Sequence, residues 1–337
     1  MTNALAKLIT PNRYTVGKPT IGRKLSNAIR YRSSVRALAN SPSLDDTQRK
    51  ILNELRSDCY VILPGYFSAD RLGRLKSDYQ HSLDELRFLS TPILDYSKLE
   101  PFKDESLAKH VMGLAPEELA ETEFTVDKSK CHSYQQVITD FSPSELAVHM
   151  FEYSENFLSA WLDPYLLAIV CQYLGLVPQL VESYVRRSFP APYRILNNNW
   201  HRDIDNETHL LKIFVFLTDC DSDTGPHEYI KGSCNDPEKL NVLNNQRYYE
   251  DDAVNELYPE NSEDRVISIV PAGTVILEDT RGLHRANILT SGYRDLGYAV
   301  FKPWPKNKDV FYRVPRKFYE KLTVYQKMFV PEQAVIQ

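Results

Sequence analysis

From about residue 181 onward the chain consists of short β-rich runs, and this punctuation restricts the fold more than any other feature. The runs are ESYVRRSF (182–189), HLLKIFVFL (209–217), DRVISIV (264–270), TVILE (274–278) and GYAVF (297–301). Turn chemistry separates them: Asp-Thr-Gly-Pro at 223–226, Pro-Ala-Gly at 271–273 and Ser-Gly at 291–292. Many short strands broken in this way predict a β-sandwich or barrel. The first half has a different texture. In SPSLDDTQRKILNELRSD, Ile51, Leu52 and Leu55 give a helical stripe, and Ser43 or Asp45 is placed to cap its start. CYVILPGYF (59–67) is a short apolar strand interrupted by Pro-Gly, and Ser68 opens a second helix that runs to about Leu86. Residues 91–143 are mixed and polar, and a helical block is expected from about Ser144 to Leu174. Helices followed by a β-core give an α+β unit.

With 337 residues, 42% of them hydrophobic, the chain can bury a substantial core. A net charge of −5 does not suit a nucleic-acid binder. The longest apolar runs, Leu166 to Val170 and Ile213 to Leu217, are too short to span a bilayer, and the first thirty residues lack the apolar stretch of a secretory signal. Five cysteines without a CxxC motif are read as free, structural thiols, which points to a reducing cytoplasm. Residues 1–44 carry basic side chains and no acid before Asp45. This basic extension is expected to pack on the domain surface. A transit segment and an arm making peripheral contact with anionic membrane are the other readings.

The chemistry concentrates in NNNWHRDIDNETH (197–209). On a strand, residues i and i+2 share a face, so His201 and Asp203 project together. Downstream, TVILEDTRGLHRA ends a strand and presents His284. Two histidines and one carboxylate make the facial triad of non-haem Fe(II) sites, which keep coordination positions open. Arg294 follows ten residues after His284 and can grip the remote carboxylate of a metal-bound dicarboxylic acid. Lys212, inside the apolar run LLKIFVFL, is a second candidate contact for an anionic group. Tyr184, Arg186 and Ser188 alternate on one face of their strand and are candidates to line the cavity. His227 is read as a turn residue that touches substrate and His209 as a core or rim residue. His81, His110, His132 and His149 show no ligand spacing.

Together these pieces resemble a known family. In order they are Trp200-His201-Arg202-Asp203, Leu217-Thr218-Asp219, the run Thr224 to Ser233 (TGPHEYIKGS), Asp279 to His284 (DTRGLH) and Arg294. They resemble the phytanoyl-CoA dioxygenase family of Fe(II)/2-oxoglutarate-dependent oxygenases, over roughly residues 45–305. CYVILPGYFSADRL (59–72) is similar to that family's entry strand and helix. The resemblance implies a double-stranded β-helix (jelly-roll) core with N-terminal and flanking helices. It also implies iron ligands at His201, Asp203 and His284 and a 2-oxoglutarate clamp at Arg294. The family's usual Pro-Gly-Ser-His turn reads Lys231-Gly232-Ser233-Cys234 here, and His227 stands where an apolar residue is more usual.

The resulting expectation is a cytoplasmic dioxygenase of three parts: a basic extension (1–44), one jelly-roll domain (45–310) and a C-terminal extension (311–337). Fe(II), 2-oxoglutarate and O2 are its expected cofactors. Lys212, Ser188 and Tyr184 are expected to assist Arg294. Arg186, Trp200, Arg202 and His227 are expected to touch a small-molecule substrate. A desaturase or cyclase of the same fold fits the same ligands, and a non-catalytic metal-binding jelly roll is the reading from another class. The polar loop at about 235–263 is expected to cover the barrel mouth.

Overall fold

Asp45 starts helix α1 (Asp46–Asp58) by accepting from the Gln48 amide, and Gln48 returns the bond in a capping box. Ser68 does the same for α2 (Ala69–Asp84) through the Arg71 amide. Between them lies strand β1 (Tyr60–Leu63). The computed structural model describes residues 31–89, 93–94, 123–124, 130–194, 196–203, 210–243, 248–303 and 310–337. Residues 1–30, His110 and His209 lie outside them.

The expected helical block beginning at Ser144 opens instead with a strand, β2 (Glu145–Val148). Leu146 and Val148 are buried while Glu145 and Ala147 are not, and that period of two decides the element. Helices α3 (Glu155–Trp161) and α4 (Pro164–Leu174) follow, capped by Ser154 and Asp163. Among the described residues no single helix is long and apolar enough to cross a membrane. The apolar side chains of α3 and α4, including Phe157, Leu158, Trp161 and Ile169, are buried in the core.

The β-rich half supplies β3 (Gln179–Ser188), β4 (Trp200–His201), β5 (Leu211–Phe216), β6 (His227–Ile230) and β7 (Tyr248–Tyr249). It continues with β8 (Arg265–Ile267), β9 (Val275–Glu278), β10 (His284–Ala286) and β11 (Arg294–Lys302). They build two antiparallel sheets. The larger has the order β1-β9-β5-β11-β3-β2, and the smaller β8-β6-β10-β4-β7.

On the larger sheet, Leu211, Ile213, Val215, Val275 and Leu277 point outward into one hydrophobic cluster with the helices. Their alternates Phe214, Phe216, Ile276 and Tyr298 point inward and form a second cluster with Tyr229 of the smaller sheet. Burial on both faces explains why LKIFVF reads as a continuous apolar run rather than an alternating one. Gly297 marks the closest approach of the helices, because a Cβ there would lie 2.6 Å from the Trp161 ring.

Two flanking segments pack into this core. Residues 311–337 are part of the same core, since Val314, Phe329, Val330 and Ala334 are buried in the outer cluster. Residues 31–44 also pack down, with Tyr31 buried in it and Val35, Leu38 and Leu44 against it. The free-thiol reading fails for one pair: Cys59 and Cys234 form a disulfide with Cα atoms 6.4 Å apart. Cys131, Cys171 and Cys220 are buried and outside any disulfide. The two bonded cysteines are 175 residues apart in sequence, and only the folded chain brings them together.

Candidate metal centre

His201 and His284 meet because their strands pair in register. β4 and β10 place them directly opposite each other, with ring centroids 4.1 Å apart. Each ring is oriented by its own backbone. His201 donates from Nδ1 to the Asn199 carbonyl at 2.9 Å, and His284 from Nδ1 to the Gly282 carbonyl at 3.0 Å. The proton on Nδ1 leaves Nε2 as the free donor in both. Asp203 follows β4, and its amide is fixed by a 2.8 Å bond to the Thr280 carbonyl, in the segment that carries His284. The ligand atoms of His201, Asp203 and His284 all lie within 4.8 Å of one another. An ion with bonds of about 2.0–2.2 Å can join all three after small side-chain shifts.

Electrostatics keep the donors in the state a metal needs. Burial pushes His201 down to about 4 and His284 down to about 3, so both imidazoles are neutral at physiological pH. Burial would raise Asp203, but Lys212, with His284 and His201 adding to it, outweighs burial and holds the carboxyl well below its ordinary range. The Lys212 ammonium lies 2.5 Å from Asp203 Oδ2.

The segment that presents His284 is tightly held. Tyr229 donates to the Asp279 carbonyl at 2.9 Å, and Ser233 Oγ accepts from the Leu283 amide at 2.9 Å. The Asp279 amide donates to the Cys59 carbonyl at 2.9 Å. A Cβ on Gly282 would run into Tyr229 and Ser233, so only glycine lets the chain pass here. The turn that departs from the family pattern thus has two roles. Ser233 supports the ligand segment, and Cys234 fastens the same turn to β1.

Beyond the triad the inward side of the sheets carries a buried guanidinium. Arg294 is 5% exposed, and its Nε and Nη1 have no hydrogen-bond partner. Arg294 lies opposite Ser188 in the β11–β3 register. His227 connects this end to the triad. Its ring is 5.6 Å from that of His284, and Arg294 adds to burial in pushing its pKa down to about 3. Its Nε2 comes within 2.7 Å of Glu278 Oε2, yet neither Glu278 oxygen has an aligned donor. Burial pushes Glu278 up to about 8. The sequence reading missed Glu278. The available signal was its place two residues after the inward-facing Ile276 at the end of TVILE.

The remaining candidates divide by strand parity. Tyr184 faces inward, its ring 5.7 Å from that of Tyr298 and 4.4 Å from that of His149. Arg186 lies over the Tyr184 and Tyr298 rings and donates to the Tyr298 hydroxyl at 3.1 Å. Trp200 and Arg202 point the other way, which corrects their reading as substrate contacts. Trp200 is fully buried with Ile230, Tyr249, Val254, Tyr258 and Leu283, and Arg202 donates from Nε to the Arg281 carbonyl. One residue along a strand reverses the face, so neighbours of His201 and Asp203 cannot share their cavity. Part of the expected covering loop lies outside the described residues (244–247), and of the rest Tyr248 pairs with His201, its ring 5.9 Å from the imidazole. Helix α5 (Asp251–Leu257) buries Val254 in that same outer cluster, and Asp251 pairs with Arg285 at 2.9 Å. A separate groove of about 810 Å³, lined by Ile138, Phe189, Pro190 and Tyr293 among others, opens beside Arg187, on the opposite face of β3 from Arg186.

No family model matches the chain, and no curated protein matches it. Several solved structures have a similar outline. The non-haem α-ketoglutarate-dependent epimerase SnoN from nogalamycin biosynthesis is 13% identical, with 76% of this chain and 83% of that chain covered and a TM-score of 0.48. EctD from S. alaskensis, with 2-oxoglutarate and 5-hydroxyectoine, is 16% identical over 79% and 80% of the two chains, at a TM-score of 0.46. HygX from Streptomyces hygroscopicus, with nickel, 2-oxoglutarate and hygromycin B, is 17% identical over 80% and 90%, at 0.45. At these identities and scores, function has to be read from the side chains.

Proposed function

We propose that the chain is an Fe(II)- and 2-oxoglutarate-dependent dioxygenase that hydroxylates a C–H bond of a small molecule, of metabolite or lipid/glycan type. The observation that carries this reading is a His-Asp-His donor set and, beyond His227 on the same inward side of the sheets, a buried arginine with two unpartnered nitrogens. A guanidinium buried without an acceptor is costly, and a ligand carboxylate resolves it. The resemblance of the sequence motifs to the phytanoyl-CoA dioxygenase family supports the same reading, and with it the assignment of the two sheets to a double-stranded β-helix.

His201, Asp203 and His284 would hold the iron and leave coordination positions open. The bound iron, with 2-oxoglutarate and O2, supplies the oxidising chemistry and yields succinate and CO2. Arg294 would bind the far carboxylate of 2-oxoglutarate with two parallel bonds, and Ser188 lies beside it as a further donor. Tyr184 and Arg186 would face the substrate. Phe214, Ile276 and Tyr298 line the same interior and exclude water from it.

Incubation with Fe(II), 2-oxoglutarate and O2 tests the proposal. Succinate should form in the wild type, rise when a true substrate is added, and be absent without iron. Failure to form succinate, together with failure to bind 2-oxoglutarate anaerobically, would refute it.

A further inference from the structure

Lys212 is the one inward residue of β5 that is not aromatic, between Leu211 and Ile213 on the outer face and in line with Phe214 and Phe216. Its ammonium lies 2.5 Å from Asp203 Oδ2, and that same oxygen is 3.8 Å from His284 Nε2. The carboxylate oxygen turned toward the second histidine therefore already carries a cation. Lys212 also lies 5.4 Å from the centre of the Tyr298 ring and opposite Glu278 in the strand register. Its side chain is 18% exposed and that of Asp203 is 21%, so water screens the pair only in part. The cavity holds a second fixed cation in Arg294.

A divalent ion entering this site meets two neutral imidazoles and one carboxylate whose charge Lys212 has largely cancelled. A dicarboxylate entering the same cavity brings two negative charges to two resident cations. We propose that Lys212 couples the two events: while it holds Asp203 it opposes metal loading, and the charge of the dicarboxylate relieves that opposition. This rests on the metal and co-substrate reading above. Coupling between ligands is reciprocal, so metal must tighten dicarboxylate binding by the same factor. The free protein then takes up metal poorly and assembles its centre only when the co-substrate is present.

Anaerobic Mn(II) titrations, with and without saturating 2-oxoglutarate, measure this directly without turnover. In the wild type, 2-oxoglutarate should raise Mn(II) affinity by roughly tenfold to a hundredfold. Lys212→Met should bind Mn(II) alone about tenfold or more tighter than the wild type, with little further gain from 2-oxoglutarate. Lys212→Gln should behave as Lys212→Met does and serves if the methionine variant does not fold. Lys212→Arg, which keeps the charge, should retain the coupling. Unchanged or weaker Mn(II) binding in both neutral variants, with the coupling intact, would overturn the proposal and leave Lys212 as a packing residue. If the wild type binds no Mn(II) in either condition, or binds it equally well after His284→Ala, the triad itself is refuted and the coupling with it.

Discussion

The two sheets of this protein face one interior but contribute opposite kinds of chemistry to it. The smaller sheet carries His201 and His284 on paired strands, followed by Asp203, and orients both rings through backbone carbonyls. The larger sheet carries Lys212, Glu278 and Arg294, spread over β5, β9 and β11. Their outer faces differ in the same sense. Helices cover the larger sheet with apolar side chains. The smaller sheet is backed by Trp200 beneath two guanidiniums, Arg285 at 4.5 Å and Arg265 at 5.2 Å. Glu228 and Asp251 pair with Arg285 there. The lesson is that metal donors need rigid mutual geometry, which directly paired strands give. Charges that hold a mobile anion can be distributed along a broad, well-packed sheet.

Breaking the smaller sheet's contribution should have the largest effect. His201→Ala removes one of three donors from an open site, and metal affinity should fall by at least a thousandfold, about 4 kcal/mol or more. The fold should persist, because the strands of β4 and β10 are anchored by Trp200 and Leu283, both fully buried on the other side. Metal titration beside a thermal melt checks both halves. Full metal binding by the variant would remove His201 from the centre.

The next effect concerns the tie between the sheets. Cys59 leads into β1 of the larger sheet, and Cys234 lies in the turn after β6 of the smaller one. Cross-linking residues 175 apart should stabilise the fold by about 5 kcal/mol, chiefly by restricting the unfolded chain. Cys59→Ser should lower the denaturation midpoint by a corresponding amount, and treating the wild type with reductant should reproduce it. Metal affinity should change far less, since Ser233 still holds Leu283 by its hydroxyl. A midpoint indifferent to both the substitution and the reductant would show that the disulfide does not join the sheets in solution.

Much of this comparison was legible in the sequence, and the limits of legibility are physical. His201 and Asp203 were readable because strand parity puts i and i+2 on one face, and α1 because Asp45 and Gln48 spell a capping box. The same parity, applied one residue further, already places Trp200 and Arg202 on the far side, where burial confirms them. What stayed hidden depends on contacts between the two sheets. The Cys59–Cys234 pairing, the Lys212–Asp203 contact and the Glu278 approach to His227 all cross from one sheet to the other, and only the face-to-face packing of the two sheets brings those residues together. The strand at Glu145 was read as helix because the helices after it share its leucine-rich composition. The segment containing α5 was read as a lid for its polarity. Asp251 pairs with Arg285 behind Trp200, while Tyr248 of the same segment lies beside His201, so the segment serves both faces of the smaller sheet.

The division of labour between the sheets can be measured at Arg294. Lysine cannot reproduce the guanidinium's two parallel bonds, and alanine leaves the carboxylate unpaired. Titrating 2-oxoglutarate anaerobically into the Fe(II)-loaded protein should show Arg294→Lys weakened by roughly tenfold to a hundredfold, the loss of one charge-assisted bond of about 1.5–3 kcal/mol. Arg294→Ala should be weaker still. In both variants Fe(II) binding without 2-oxoglutarate should stay close to the wild-type value, because the metal donors belong to the other sheet. Unchanged 2-oxoglutarate affinity in Arg294→Ala, or a loss of metal binding as large as that in His201→Ala, would contradict the separation of roles on which the proposed function stands.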